Sequence, residues 1–473
     1  MSQKKDNIPT PKPWLASIPV LVTIALLMYS VFVTDTKPHF ALFIGAATAG
    51  LCAYWHGFPW KTIKEGFKHS VARTIPSIII LLIIGMLIAV WIASGIVPAL
   101  MYFGFEFFVA RWFLPLILLF SAFMALITGS SWSTIGTIGV AAIGVSEGLG
   151  IPLAMTAGAI VSGSFFGDKL SPMSDSTNLT PSVLGVNLYD HIRHMLYTTL
   201  PALGVSVVAF TIIGFLAAGG NDGSGDVSAY TDYIREHFNL SAWLFVPPAV
   251  VIFLIVRKVP AIPSLLAGLV LGGLAYMGVQ GGTLSGLLES VHTGFVMDTG
   301  QESKDALFTR GGMESMYEVV ALALVSLTLG GVMDYTRMLH SLVLALSRMV
   351  NTVGNLTATV LGTAVFVNIF GANQYLAVIL PGQMFEECYR NKNLRLKNLT
   401  RTLEAGGTLT APLVPWNSSG VFVYTALGVS AAAYAPYAIL CWFTALVALA
   451  FGYLNFTMHR LEAGKEEEPE DQQ

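Results

Sequence analysis

The chain has 473 residues, of which 54% are hydrophobic and 11% are charged, and its mean hydropathy is +0.67. An average soluble domain carries about 25% charged residues, so this composition excludes a soluble globular protein and indicates an all-α polytopic protein of the lipid bilayer. The net charge is −3, and no nucleic acid is expected as a partner. The cysteines Cys52, Cys388 and Cys441 have no spacing that suits a metal site or a disulfide framework.

Apolar runs of membrane-spanning length predict transmembrane helices at 14–34, 38–56, 74–98, 195–218, 242–256, 260–280, 317–337 and 433–457. Two longer apolar stretches, 112–146 and 351–387, are interrupted near their middles by Gly129-Ser130-Ser131 and Gly371-Ala372-Asn373. Two half-length helices that meet at such a turn predict a re-entrant hairpin with its tip at membrane depth.

Two further stretches, 152–187 and 399–430, are interrupted by prolines. Pro172 lies in the first stretch, and Pro412 and Pro415 lie in the second. Because proline supplies no backbone N–H and disrupts a continuous helix, each stretch predicts a broken transmembrane helix.

The distribution of Lys and Arg predicts which segments face the cytoplasm. Basic residues are concentrated in the N-terminus 1–13, in the loop with Lys61, Lys64, Lys68 and Arg73, and in 388–401. These segments are expected inside, so the 219–241 connection is predicted to be an extracytoplasmic loop, and one hairpin enters from each side. Both termini are then cytoplasmic, including the acidic tail 458–473.

The two halves of the chain, 14–218 and 242–457, resemble each other in layout. With a shift of 243 positions, Gly163, Pro172, Ser176 and Gly185 face Gly406, Pro415, Ser419 and Gly428, and a shift of 242 pairs Gly129 with Gly371. Each half has three spans, a hairpin, a broken span and a final span. Because five crossings is an odd number, we predict two inverted-topology repeats. The alternative is that glycines and prolines coincide by chance in a Gly-rich protein.

The first broken span carries the most unusual sequence of the chain, because Asp168, Lys169 and Asp175 interrupt an apolar run. A charge at membrane depth is costly and survives where the protein encloses a wet site. A carboxylate in such a site can carry either a sodium ion or a proton, so we predict that Na⁺ binds at Asp168 and Asp175. Alternatively, Asp168 pairs with Lys169, and Asp175 only caps a half-helix.

Hydroxyl and amide side chains at the two breaks and the two hairpin tips complete the predicted ion or substrate site, because a hard cation prefers oxygen ligands. These residues are Ser130, Ser131, Ser174, Ser176, Thr177, Asn178, Asn373, Gln374, Asn417, Ser418 and Ser419. Lys169, Glu404 and Asp334 are candidate proton relays, although Glu404 and Asp334 could equally be solvated end residues. His191, His194 and His340 are interpreted as interfacial.

Three segments resemble the NhaC-type sodium/proton antiporters of the ion-transporter superfamily. They are TGSSWSTIGTIG at 128–139, GSFFGDKLSPMSDSTNL at 163–179 and EAGGTLTAPLVPWNSSGVF at 404–422. The resemblance implies an inner-membrane secondary transporter coupled to sodium. By position, it also implies that Asp168, Ser174, Asp175, Ser176, Thr177, Asn178, Asn417, Ser418 and Ser419 line the site. The family includes exchangers that couple malate and protons to sodium and lactate.

The sequence therefore predicts a multi-pass transporter of the bacterial cytoplasmic (inner) membrane that exchanges Na⁺ for H⁺ by alternating access. A Na⁺- or H⁺-coupled organic-anion exchanger, such as a malate/lactate antiporter, is the alternative, with a small organic acid as a further partner. An enzyme is not expected, because the chain has neither a Ser/His/Asp set nor an HExxH pattern, and no cofactor is expected beyond the transported ions. A homodimer is one assembly that the sequence leaves open.

Overall fold

A computed structural model describes residues 10–33, 37–107, 110–217, 224–257, 259–301, 304–305, 308–347 and 351–461. Within these ranges the chain is helical, and it forms isolated β-bridges but no β-strand. The predictions for residues 1–9 and 462–473 lie outside the described residues.

The helices of the N-terminal half are α1 (Pro13–Phe32), α2 (His39–Trp55), α3 (Trp60–Ala93), α4 (Ile96–Phe107), α5 (Ala110–Thr128), α6 (Ser131–Thr134), α7 (Val140–Gly148), α8 (Leu153–Leu170), α9 (Asp175–Leu184) and α10 (Leu188–Ala217). A π-helical turn, Ile135–Gly139, joins α6 to α7, so the two form one continuous arm.

The remaining helices are α11 (Ser224–His237), α12 (Val246–Val256), α13 (Ala261–Val279), α14 (Leu284–Thr293), α15 (Tyr317–Tyr335), α16 (Met338–Ser347), α17 (Val353–Phe370), α18 (Gln374–Asn391), α19 (Leu396–Leu403), α20 (Ser418–Leu427), α21 (Ala431–Tyr434) and α22 (Ile439–Leu454). A second π-helical turn, Glu404–Thr408, continues α19.

Among the described residues, 6 helices are long and apolar enough to cross a membrane, and the number rises to 9 if each sharply bent helix pair counts as one span. The chain is therefore a multi-pass membrane protein, as the composition predicts. The first arms of the two expected hairpins, α5 and α17, reach spanning length themselves, so their re-entrant character stays a prediction.

Two connections contain more helix than the sequence suggests. The prediction of a loop before residue 74 is wrong. Helix α3 begins at Trp60, and its first turns carry Lys61, Lys64 and Lys68. Lys and Glu favour helix, and a Glu65–Lys68 ion pair at 3.2 Å supports the turn. The expected loop 219–241 likewise contains α11.

Close packing of α8 against α5 determines where the first break lies. A Cβ atom at Gly163 would stand 2.2 Å from the Leu118 carbonyl oxygen, and one at Gly167 would stand 2.2 Å from that of Ala122. Because only glycine permits such backbone contact between helices, the end of α8 lies directly beside the end of α5.

Helices α3 and α15 cross in antiparallel directions. A Cβ atom at Gly66 of α3 would stand 2.8 Å from the Gly331 carbonyl oxygen in α15. At the other end, the N–H of Gly312, which precedes α15, donates to the Gly85 carbonyl at 2.7 Å. Glycine backbone therefore joins α3 to α15 at one end and to the segment just before α15 at the other end.

The connection between α14 and α15 is organised around the Asp305 carboxylate. It accepts the Thr299 N–H at 2.9 Å, the Thr299 hydroxyl at 2.6 Å and the Gln301 N–H at 3.1 Å, as well as the Tyr233 hydroxyl. Burial raises the pKa of Asp305, but these donors outweigh burial and lower the pKa to about 2.

We expect Asp305→Asn to loosen this connection, because an amide is a weaker acceptor for the same donors. In the wild type, the contribution of the carboxylate is complete above the ordinary aspartate pKa of about 3.9 and is lost as pH falls through about 2. Protease cleavage within 295–310 should therefore be faster for Asp305→Asn at neutral pH. The exposed Asp298→Asn is the matched control, and equal cleavage of the two variants would contradict this role.

Candidate functional site

The first break separates α8 from α9 at residues 171–174, and its own side chains hold it. The Thr177 hydroxyl donates to the carbonyls of Asp168 and Lys169, both at 3.0 Å. The Asn178 amide donates to the carbonyls of Pro172 at 2.8 Å and Ser174 at 2.7 Å. These bonds satisfy carbonyls that the unwound backbone frees, so Thr177 and Asn178 use their side chains to fix the shape of the break.

Asp168 is tied to the tip of the first hairpin. Its Oδ2 atom accepts the Ser131 N–H at 3.1 Å and the Ser131 hydroxyl at 2.5 Å. Ser131 is the first residue of α6, so the carboxylate lies at a helix N-terminus, where free N–H groups favour negative charge. Asp168 is 8% exposed, and its site is therefore largely closed off by protein.

Further oxygen atoms lie at the same break. The hydroxyls of Ser174 and Ser176 are buried and lie 3.0 Å apart, and Ser174 also caps α9 by accepting the Thr177 N–H at 3.4 Å. Asp175 is the first residue of α9 and is exposed, and its charge acts on Asp168. The side chain of Ser130 caps α6 by accepting the Ser133 N–H at 3.1 Å. Carboxylate and hydroxyl oxygens of this kind suit Na⁺.

The second break, between Thr408 and α20, is held by amide groups instead of a carboxylate. Asn417 caps α20 by accepting the Ser419 N–H at 3.1 Å. The Ser419 hydroxyl donates to Gln374 Oε1 at 2.9 Å, and the Ser418 N–H donates to the Ala372 carbonyl at 3.1 Å. The second hairpin tip is thus bound to the second break, as the first tip is bound to the first break.

Sequence reasoning missed Asn368 at this break. It is fully buried in α17, and its Nδ2 atom donates to the Gly407 carbonyl at 2.6 Å and the Thr410 hydroxyl at 3.0 Å. Its Oδ1 atom accepts from the Asn417 amide at 3.1 Å. The available signal was a single amide side chain inside the apolar run 364–370.

A buried polar contact joins the two halves of the chain. The Thr180 hydroxyl of α9 donates to Glu404 Oε1 at the start of the second π-helical turn. Glu404 and Lys169 are both fully buried, and within the described part of the chain they form no ion pair with each other. Among the described residues, neither Lys169 Nζ nor Glu404 Oε2 has a hydrogen-bond partner. Glu404 is therefore a core residue of the break region and not a solvated end residue.

Other predicted residues lie elsewhere. Asp334 is half-buried in the last turns of α15, and its relay role stays a prediction. The interfacial interpretation is wrong for His191 and His194, which are 0% and 2% exposed. They bond to Thr400 at 2.8 Å and Asn398 at 3.1 Å, because α10 packs against α19.

The two breaks have the same local structure at a spacing of 243 positions. The caps Ser174 and Asn417 precede helices of 10 residues each, which end at the left-handed glycines Gly185 and Gly428. At the hairpin tips, the left-handed residues are Gly129 and Ala372. The expected pairing of Gly129 with Gly371 is therefore wrong by one position, because Gly371 still has helical backbone angles at the end of α17.

The sequence model of the Na⁺/H⁺ antiporter family matches residues 9–177 and 163–456. The chain is 37% identical to the Na⁺/H⁺ antiporter NhaC of Alkalihalophilus pseudofirmus, over 92% of this chain and 94% of that protein. It is 35% identical to the malate-2H⁺/Na⁺-lactate antiporter of Bacillus subtilis, over 90% and 91%. It is also 33% identical to the arginine/ornithine antiporter ArcD of Halobacterium salinarum, over 96% and 94%. The full-length matches and the family model agree that this chain belongs to the Na⁺/H⁺ antiporter family.

Proposed function

We propose that this protein exchanges Na⁺ for H⁺ across the cytoplasmic membrane by alternating access. The observation that carries the proposal is the position of Asp168, a largely buried carboxylate at the break between α8 and α9 that accepts two hydrogen bonds from Ser131. A carboxylate that is enclosed among hydroxyl oxygens can hold a sodium ion or a proton, but not both at once. That competition couples the movement of one ion to the opposite movement of the other.

In this mechanism the first break binds the cation and the second break supports it. Asp168 supplies the negative charge, and Ser131, Ser174 and Ser176 supply neutral oxygen ligands. Asp175, at the exposed end of the site, adds a second negative charge that attracts Na⁺. The second break has amide groups where the first has Asp168, because Ala411 stands 243 positions after Asp168.

The matched local structure of the two breaks supports two inverted repeats. A spacing of 245 positions, close to that of the breaks, relates Gly66 to Gly311 and Gly85 to Gly330. Helix α3 meets the other half through Gly66 with Gly331 and Gly85 with Gly312, in antiparallel directions. An antiparallel contact between corresponding helices is what a two-fold axis in the membrane plane requires.

Contacts between distant segments support the proposed topology, in which both termini lie on the same side of the membrane. On the predicted outer side, Glu147 pairs with Arg310 at 3.6 Å and Lys37 pairs with Glu318. On the predicted inner side, Asp190 pairs with Lys397 at 3.9 Å, the Ser341 hydroxyl donates to the Pro11 carbonyl at 2.6 Å, and the Arg395 N–H donates to the His459 carbonyl at 3.0 Å. Every one of these contacts joins segments that the loop charges assign to the same side.

An organic-anion exchanger is the second candidate, because a relative of this chain carries the name of a malate-2H⁺/Na⁺-lactate antiporter. Such a carrier would hold a substrate carboxylate at the N-termini of α9 and α20. Two observations oppose this. Asp175 places a negative charge at the start of α9, and the first N–H groups of α20 are bound to Ala372 and Asn417.

Purified protein in liposomes with a trapped pH dye distinguishes these functions. We expect an imposed Na⁺ gradient to drive proton flux with no organic solute present, because the proposed site needs only the two ions. The control is an equal K⁺ gradient in liposomes that lack the protein. Flux that requires malate or lactate would overturn the Na⁺/H⁺ proposal and establish the second candidate.

A further inference from the structure

The exposed side of α9 is polar along its whole length. Asp175, Asn178, Ser182 and Gly185 are exposed and follow one another at helical spacing, from the break to the end of α9. Helices that face lipid expose apolar side chains instead, such as Leu116 and Phe123 on α5 and Val208 and Ile212 on α10. Because hydrocarbon does not solvate carboxylate and amide groups, this side of α9 faces water.

The corresponding side of α20 is closed. The positions 243 residues after Asn178 and Ser182 are Val421 and Thr425, which are 0% and 5% exposed. Two helices with the same length and the same caps therefore differ in whether this side reaches water. The difference comes from packing and not from the helices themselves.

An aromatic stack covers α20 next to its closed side. Trp132, near the tip of the first hairpin, stacks on Phe422 of α20 with 4.2 Å between ring centroids and 17° between ring planes. The corresponding positions on the other side are Tyr375 and Leu179. Tyr375 is 40% exposed where Trp132 is half-buried, and Leu179 is half-buried where Phe422 is 0% exposed, so this pair of positions is more open beside α9 than beside α20.

We propose that the structure is the inward-open state, in which the polar side of α9 lines a water-filled route from the cytoplasm to Asp168 and the Trp132–Phe422 stack closes the route to the outside. The route leads to the cytoplasm because α9 ends beside the start of α10, where Asp190 pairs with Lys397 of the basic segment 388–401. In the outward-open state, Tyr375 packs on Leu179, the polar side of α9 is covered, and Thr425 becomes accessible. This inference rests on the alternating access of the proposed function.

Reaction of single cysteines with a charged, membrane-impermeant thiol reagent tests the proposal. The parent is the full-length Cys388→Ser variant, because Cys52 and Cys441 are buried. Ser182→Cys should react from the cytoplasmic side in inside-out vesicles. Thr425→Cys, labelled from the outside in right-side-out vesicles, should react roughly tenfold more slowly than Ser182→Cys does from the inside. The reason is that the inward-open state, in which Thr425 is buried, must dominate the population. Val208→Cys on α10 is the control for a cysteine that faces lipid.

Adding Trp132→Ala to Thr425→Cys should raise its labelling rate from the outside by about three- to tenfold, the effect expected from losing one aromatic pair. Trp112→Ala, which removes a ring paired with Phe215 on the lipid-facing side, is the matched control and should leave that rate unchanged. If Trp132→Ala leaves the labelling rate of Thr425→Cys unchanged, the Trp132–Phe422 stack does not close the outer route.

Two outcomes overturn the inward-open assignment even if Trp132→Ala does not fold. Ser182→Cys could react no faster than Val208→Cys, or Thr425→Cys could react from the outside as fast as Ser182→Cys from the inside. Cysteine labelling does not depend on transport. The expected labelling pattern together with a failed Na⁺-driven proton flux would therefore overturn the proposed Na⁺/H⁺ exchange but support the inward-open assignment.

Discussion

Asp168→Asn should reduce Na⁺-driven proton flux to about a hundredth of the wild-type rate or less, while the protein remains in the membrane. An amide neither carries a negative charge nor takes up and releases a proton, so it fails in both halves of the exchange. The amide oxygen can still accept both hydrogen bonds from Ser131, so the variant isolates the loss of the charge. Loss of a charged partner in a buried site costs about 3–5 kcal/mol, which corresponds to at least a hundredfold change in ion binding.

The measurement is proton flux in liposomes at several Na⁺ concentrations, with the amount of inserted protein determined for each variant. Asp190→Asn is the matched control, because Asp190 is a half-exposed aspartate whose nearest cation, on Lys397, is 3.9 Å away. Ser131→Ala should have a smaller effect, a rise in the apparent KM for Na⁺, since one hydrogen bond to a charged group contributes about 1.5–3 kcal/mol. Wild-type flux in Asp168→Asn would rule out the carboxylate as the exchanging group.

Glu404→Gln should lower the free energy of unfolding by about 1–3 kcal/mol, because it removes a buried carboxylate whose negative charge opposes the positive charge of the fully buried Lys169. Glu404 and Lys169 are both fully buried, and the Glu404 side chain is held by Thr180. Glutamine keeps the shape and an acceptor for the Thr180 hydroxyl, so the loss isolates the charge. Unfolding in mixed micelles measures the difference, and Glu387→Gln, at an exposed position of α18, is the matched control.

The double variant Glu404→Gln with Lys169→Met separates stability from transport. Removing both charges should restore most of the lost stability, because no unpaired charge remains in the core. If Lys169 is a proton relay, the restored protein should still show an altered pH dependence of Na⁺-driven flux. A Glu404→Gln variant as stable as the wild type would mean that the charge of Lys169 is balanced by a group other than Glu404.

The local features of the breaks could be predicted from the sequence because each depends on a few adjacent residues. Pro172 and Pro415 interrupt helices wherever they occur inside them, and Ser174 is a side chain that caps helices. The residue that corresponds to Gly129 at the second hairpin tip could not be predicted correctly. Glycine usually takes the left-handed conformation, so the sequence favours Gly371, but Ala372 beside it adopts that conformation instead.

The contacts between the halves could not be predicted. Thr180 and Glu404 are 224 positions apart, and nothing in either local sequence indicates that they bond. The exposure of Ser182 and the burial of Thr425 are equally invisible, because the two residues occupy corresponding places in helices of the same length.

That this protein is a helical, multi-pass member of an antiporter family, and that Asp168 lies at a polar break, could be predicted from its sequence. Hydropathy, proline and capping each act over a few adjacent residues, so their effects can be read from the local sequence. Three properties come from the tertiary structure alone: Ser131 binds Asp168, Glu404 and His191 are buried, and Ser182 is exposed whereas the corresponding Thr425 is buried. Those properties depend on how the two halves pack against each other, and packing energies are summed over side chains that are far apart in the chain.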